Sequence, residues 1–183
     1  MKKIIVLDVN ETLLDLKALD PHFERVFGNA AVRTSWFATV LRNSLVSTVT
    51  GLYDDFGKIA GASLEMTAEQ YDVDLSEENR NTIMGTIRSL PAHPDVVPGL
   101  NKLKSAGFRL FTLTNSPPLV VEAQLQNSNL TDYFEASFSV DAVKTFKPAA
   151  EVYQMAAREL GVPAVQIRLV AAIKSTSTRR SRT

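Results

Sequence analysis

The chain has 183 residues, 45% hydrophobic and 22% charged, with 20 basic and 20 acidic side chains and no cysteine. That length supports one sizeable core, or a core with a small second domain. Zero net charge argues against a nucleic-acid or membrane-surface partner, and the lack of cysteine excludes disulfides, thiolate catalysis and cysteine metal sites, which fits a cytoplasmic setting.

The first element is "KIIVLD" (3–8), a short apolar run ended by Asp8, which reads as a buried parallel strand. Its four apolar residues are too few for a signal-peptide core or a membrane span. Residues 16–95 then read as a helical insert. "VRTSWFATVLRNSLVSTVTG" places Trp36, Phe37, Val40, Leu41 and Leu45 on one face, and "YDDFGKIAGASLEMTAEQY" offers Phe56, Ile59, Ala60 and Ser63. "SEENRNTIMGTIRSL" opens with Ser76 as an N-cap and acids in the first turn. The proline-rich "PAHPDVVPG" is the return linker.

A second strand is expected in "FRLFTLT" (108–114). In "PPLVVEAQLQNSNL", Pro117 and Pro118 suit a helix start, and Val121 and Leu125 lie one turn apart. "PAAEVYQMAARELGV" carries the stripe Val152, Tyr153, Ala156 and Leu160 before Gly161 stops it. "IRLVAA" (167–172) is the third buried strand. Alternating strands and helices imply an α/β fold: a Rossmann-type parallel sheet core, 1–15 and 96–172, with an inserted helical cap, 16–95. The end, "IKSTSTRRSRT" (173–183), is basic and acid-free and reads as disordered. A doubly wound domain continues with another helix and strand, so the last part of the core reads as missing or replaced.

Open α/β sheets bind ligands beyond the carboxyl ends of their strands. Those ends carry Asp8 and Thr114–Asn115, and Lys147, just before a helix, can turn toward the same edge. An Asp can serve as a covalent nucleophile, and a neighbouring ammonium can stabilise charge on the substrate. Each residue alone has a plainer reading. Asp8 could cap a turn, Lys147 could be a solvated loop lysine, and Tyr153 could simply pack on its stripe. Glu11 and Asp15 read as surface or turn residues, and His22 and His93 show no partner pattern.

Taken together, "DVNETLLD", "TLTNSPP" and "FKPAAEVY" resemble the first three motifs of the haloacid dehalogenase superfamily. "SWFATVLRNSL", "GLYDDF" and "SVDAVKTFKP" narrow the resemblance to the 2-haloacid dehalogenase (type II) branch, over about residues 3–172. The resemblance implies a hydrolase whose substrate is a small halogenated carboxylic acid. Asp8 would displace halide from its α-carbon, and water would cleave the resulting ester to a 2-hydroxyacid. Thr12 would sit close to that carboxylate, Lys147 would pair with it, and Tyr153 would support the lysine. Thr114 and Asn115 would hold the substrate carboxylate or the nucleophile, and Phe56 would line an apolar pocket from the cap. Members often pair as homodimers, so a homodimer is an expectation.

Three departures bear on the chemistry. Asn10 stands where phosphatases of the superfamily carry a second Asp that protonates the leaving group and helps arrange magnesium. Halide needs no proton, so Asn10 favours carbon–halogen cleavage, with no metal or other cofactor expected. The branch's halide-cradling Arg follows a Trp, and here that position is Phe37; Arg33, one turn earlier on the same face, is the candidate substitute. The fourth motif, with the Asp that positions water, has no counterpart in "AAIKSTSTRRSRT", since the last acid is Glu159. That pattern reads as a truncated or frameshifted end and predicts impaired ester hydrolysis. A phosphatase of the same superfamily and a catalytically inactive acid-binding remnant are the alternatives.

Overall fold

The computed structural model describes residues 4–172. Four parallel strands form one sheet in the order β3-β2-β1-β4: β1 (Ile4–Leu7), β2 (Arg109–Thr114), β3 (Ala136–Ser139) and β4 (Ile167–Val170). β1 is central, with Ile4 opposite both Arg109 and Ile167, and its four residues are all buried. Helices α5 (Val96–Ser105), α6 (Pro118–Asn127) and α7 (Ala150–Leu160) connect the strands. The α/β architecture is the one the alternating pattern implied.

The edges of the sheet differ from expectation. β3 was not foreseen, because "ASFS" is short and lacks an apolar run. It becomes a strand through its neighbour: it pairs with Phe111–Thr114, and the Phe111 and Phe138 rings stack 5.9 Å apart. β4 was expected to be buried, yet Leu169 is 39% exposed and Val170 40%. Among the described residues it has a strand neighbour, β1, on one side only. The segment 173–183, expected to be disordered, lies outside the described residues.

Residues between β1 and α5 form four helices: α1 (Asp20–Phe27), α2 (Val32–Thr50), α3 (Phe56–Gln70) and α4 (Glu77–Thr86). Ser76 caps α4, its side chain accepting from Asn79 N. The inward line of α2 is Arg33, Trp36, Val40 and Ser44, whereas Leu41 and Leu45 are 43% and 45% exposed. A one-residue step turns the helix by about 100°, so the buried stripe sits one position from the one with most leucines. Ser44 fits inside because its hydroxyl donates to Val40 O at 2.6 Å. Trp36 Nε1 donates to Ala60 O of α3 at 3.0 Å. Gly61 in α3 leaves room for the Arg80 side chain of α4, since a Cβ there would lie 2.8 Å from its guanidinium.

Where the chain leaves the sheet and returns, the two crossings are tied. Asp15 N donates to Pro91 O at 2.8 Å and His93 N to Leu13 O at 2.9 Å. One apolar cluster runs from Ile4 and Phe111 in the sheet to Trp36 and Ile83 in the insert, which makes sheet and insert one packed body. Among the described residues no helix is long and apolar enough to cross a membrane.

Candidate active site

Asp8 immediately follows β1, and its backbone N–H extends the sheet pairing by donating to Val170 O at 2.9 Å. The main chain therefore fixes the carboxylate at the sheet's carboxyl edge, the usual ligand edge of such folds. Its two oxygens are unlike. Oδ1 accepts from Lys147 Nζ at 2.6 Å and from Val9 N at 2.8 Å. Oδ2 accepts from Thr12 Oγ1 at 3.4 Å, a long and weak contact. Side-chain exposure is 22% for Asp8 and 15% for Lys147, so both ions are partly withdrawn from water yet reachable.

Lys147 is held at both ends. Its Nζ also donates to Leu113 O at 2.9 Å, and its backbone N donates to Asn115 Oδ1 at 3.1 Å. Asn115 thus meets the lysine's main chain. Thr114, 1% exposed at the end of β2, accepts from Ser116 N at 3.1 Å and so braces the following turn. Thr12 stands behind Asp8, where its hydroxyl also accepts from Ala172 N at 2.9 Å.

These groups border a cavity of about 460 Å³ whose walls include Asp8, Asn10, Arg33, Phe37, Phe56 and Tyr153. Thr114, Asn115 and Lys147 complete its polar side, while Thr12 is not among its lining residues. Burial, and then the Asp8 charge, push the Tyr153 phenol above its ordinary value, so it stays protonated through the neutral range. Asn10, Phe37 and Phe56 also border a larger cleft of about 1050 Å³ between the insert and the sheet.

Asn10 is occupied on both sides of its amide. Nδ2 donates to Ser116 Oγ at 3.2 Å, and Oδ1 accepts from Gln124 Nε2 at 3.0 Å. Gln124 is fully buried and donates as well to Ile87 O at 2.9 Å, joining α6, the nucleophile loop and the end of the insert. Sequence reasoning passed over Ser116 and Gln124. The available signal was a polar residue one place before Leu125 on the inward stripe of α6.

Arg33, only 8% exposed, reaches the cavity in company. It forms ion pairs with Glu11, at 3.6 Å, and with Asp20. Glu11 is therefore no surface residue: its side chain is 11% exposed and its backbone is left-handed, φ 64°. Such a φ is uncommon for a side chain other than glycine. His93 Nε2 lies 3.2 Å from the Glu11 carbonyl oxygen, so this histidine does have a partner. His22 meets Thr86 Oγ1 at 3.3 Å, away from Asp8. Asp15 accepts from Lys17 N at 2.9 Å and caps the short turn before α1.

The donor set does not fit a magnesium ion. Magnesium favours carboxylate and water oxygens, whereas here an ammonium sits against Asp8 and an amide replaces the second acid. Among the described residues no group of three His, Asp or Glu side chains could hold a metal ion.

The chain is similar to known proteins over most of its length. A family model for haloacid dehalogenase-like hydrolases matches residues 2–170. (S)-2-haloacid dehalogenase 1 of Pseudomonas sp. (strain CBS-3) is 32% identical over 159 residues, 86% of this chain and 70% of that protein. (S)-2-haloacid dehalogenase 4A of Burkholderia cepacia is 30% identical, over 86% of this chain and 69% of its own. The L-2-haloacid dehalogenase of Xanthobacter autotrophicus with chloropropionic acid covalently bound superposes with a TM-score of 0.85 at 26% identity. That match covers 92% of this chain and 69% of the other. A sheet of this order, ending in an aspartate paired with a lysine, together with a match across nearly the whole described chain, leads to one conclusion: the protein belongs to the haloacid dehalogenase-like hydrolase family.

Proposed function

We propose that the chain dehalogenates a small 2-haloacid through a covalent ester on Asp8, with the helical segment 16–95 acting as a cap over the reaction. The observation that carries this reading is the inequality of the two Asp8 oxygens. Oδ2 has only one long contact and keeps lone pairs uncommitted, while Oδ1 is held by Lys147 and Val9 N–H. Oδ2 attacks the α-carbon, the carbon–halogen bond breaks, and halide leaves with the bonding pair. No proton is needed, and the doubly bonded amide of Asn10 offers none. That same engagement speaks against the phosphatase reading, which wants an acid at this position.

In the ester, Oδ1 becomes the carbonyl oxygen. Water attack on its carbon would place negative charge on Oδ1, where the Lys147 ammonium and the Val9 N–H already point. Donors preset at a developing oxyanion are among the larger contributions to catalysis. Collapse then breaks the bond between Oδ2 and the aspartyl carbon. The alkoxide of the 2-hydroxyacid takes the proton that water gave up.

The base for that water is the weak point. Asp8 and Glu11 are the carboxylates among the described residues lining the cavity, and Glu11 is committed to Arg33. Esterification should therefore outpace hydrolysis. The covalently bound chloropropionic acid in the Xanthobacter autotrophicus relative supports a covalent route.

The test is intact-mass spectrometry after incubation with 2-chloropropionate, with free chloride followed in parallel. Expected is stoichiometric chloride and an adduct on the peptide containing Asp8. Neither chloride nor adduct would overturn the reading. Continuous chloride without adduct would keep the dehalogenase and discard the slow hydrolysis.

A further inference from the structure

The loop that carries Lys147 is gripped from the insert. Tyr53, between α2 and α3, donates its hydroxyl to Asp141 Oδ1 at 2.8 Å. The same oxygen takes Lys144 Nζ at 2.8 Å, and that ammonium lies 5.1 Å over the Tyr53 ring. The Tyr53 ring stacks on Phe146 at 5.1 Å and 26°. Phe56 meets Phe146 from α3 at 5.9 Å, and Phe146 N donates to Thr48 Oγ1 of α2 at 3.2 Å. Phe146 is fully buried, and the next residue is Lys147.

We propose that Tyr53 is a positioning residue for Lys147, the Tyr53–Phe146 stack setting the reach of the lysine ammonium to Asp8. The physical chain is short. Phe146 cannot shift without opening a buried aromatic contact to water, and stacked rings hold a defined offset. Because Phe146 and Lys147 share a peptide plane, a displaced Phe146 moves the origin of the lysine side chain. The sheet side alone offers Lys147 the bonds to Asn115, Leu113 and Asp8. The Tyr53 hydroxyl keeps its donor proton: burial, then the bond to Asp141, pushes its titration far up. The inference rests on the reading that Lys147 serves Asp8, and it adds that the insert controls how well it does so.

The test uses the full chain with Tyr53→Phe, which keeps the ring, and Tyr53→Ala, which removes it. Acylation of Lys147 by a water-soluble amine reagent is followed by peptide mass spectrometry, with exposed Lys102 as the internal reference. Expected is several-fold faster labelling of Lys147 in Tyr53→Ala and near wild-type labelling in Tyr53→Phe. The maximal single-turnover rate of halide release should fall in Tyr53→Ala at an unchanged half-saturating substrate concentration, by about 100-fold for a shift of about 1 Å, and recover in Tyr53→Phe. Unchanged Lys147 labelling in Tyr53→Ala overturns the proposal. If that variant does not fold, Tyr53→Leu decides on the same readout. Wild-type protein that releases no halide would refute the dehalogenase reading, while the labelling ratio would still decide the clamp.

Discussion

Two ionic clusters face one cavity and are built in opposite ways. At the end of the sheet a single ammonium, Lys147, occupies one oxygen of a single carboxylate, Asp8, and leaves the other oxygen with one long contact. Across the cavity Arg33 stands between two carboxylates, Glu11 and Asp20, with 9% of its side chain exposed. The first cluster balances one charge against one and keeps lone pairs uncommitted on Oδ2. The second carries excess negative charge and is closed on itself. Lining a cavity therefore does not make an ion reactive; an uncommitted lone pair does. By the same logic Arg33 is poorly suited to cradle a halide, because two carboxylates already lie beside it and offset its charge.

Removing the carboxylate of the open cluster is the hardest break. Asp8→Asn should abolish both halide release and the mass adduct while the chain remains folded. Next is Lys147→Met, which should slow single-turnover halide release by about 100- to 1,000-fold. A rate within a few-fold of wild type would show that the two clusters do not differ as described.

The closed cluster should answer in stability. Arg33→Met leaves two partly buried acids facing each other, and removing one partner of a buried pair costs about 3 kcal/mol, read from urea unfolding. A variant of normal stability that loses halide release would instead move Arg33 to the catalytic side. Asn10→Ala should cost about 1–2 kcal/mol, because the Gln124 amide loses one of its acceptors. It should leave magnesium-dependent phosphate-ester cleavage absent.

The smallest effect is on pH. Lys144, then Tyr53, hold the Asp141 carboxyl below its ordinary value of 3.8. A lowered folded value means the stabilisation is present above about 3.8 and fades as pH falls through the lower folded value. Asp141→Asn should therefore lower stability slightly at neutrality, where the contribution is fully present, and flatten the acid limb of the curve below that pH, where wild type and variant converge.

Much of the fold was legible because period and punctuation are local. "IIVL" and "RLFTLT" are apolar runs that suit buried strands, and Gly161, with φ 62°, ends its helix as expected. β3 was not legible, since pairing with β2 rather than composition makes "ASFS" a strand. "IRLV" reads like "IIVL", yet among the described residues one is exposed at an edge and the other buried at the centre. In the site, Asp8, Lys147 and Asn10 stood out by type and position. Glu11 did not, because its burial depends on Arg33 from a helix more than twenty residues away.

By itself the sequence determined the alternation of strands and helices, the carboxylate at the end of the first strand and the amide two residues after it. These follow from side-chain chemistry, from short apolar runs and from the helical period of 3.6 residues, which need no partner. Tertiary structure alone decided which oxygen of Asp8 stays available, that Arg33 is neutralised, and that Tyr53 reaches the lysine loop. Those outcomes depend on distances of a few ångströms between segments up to 139 residues apart. Hydrogen bonding and charge pairing act at that range, and no local pattern encodes it.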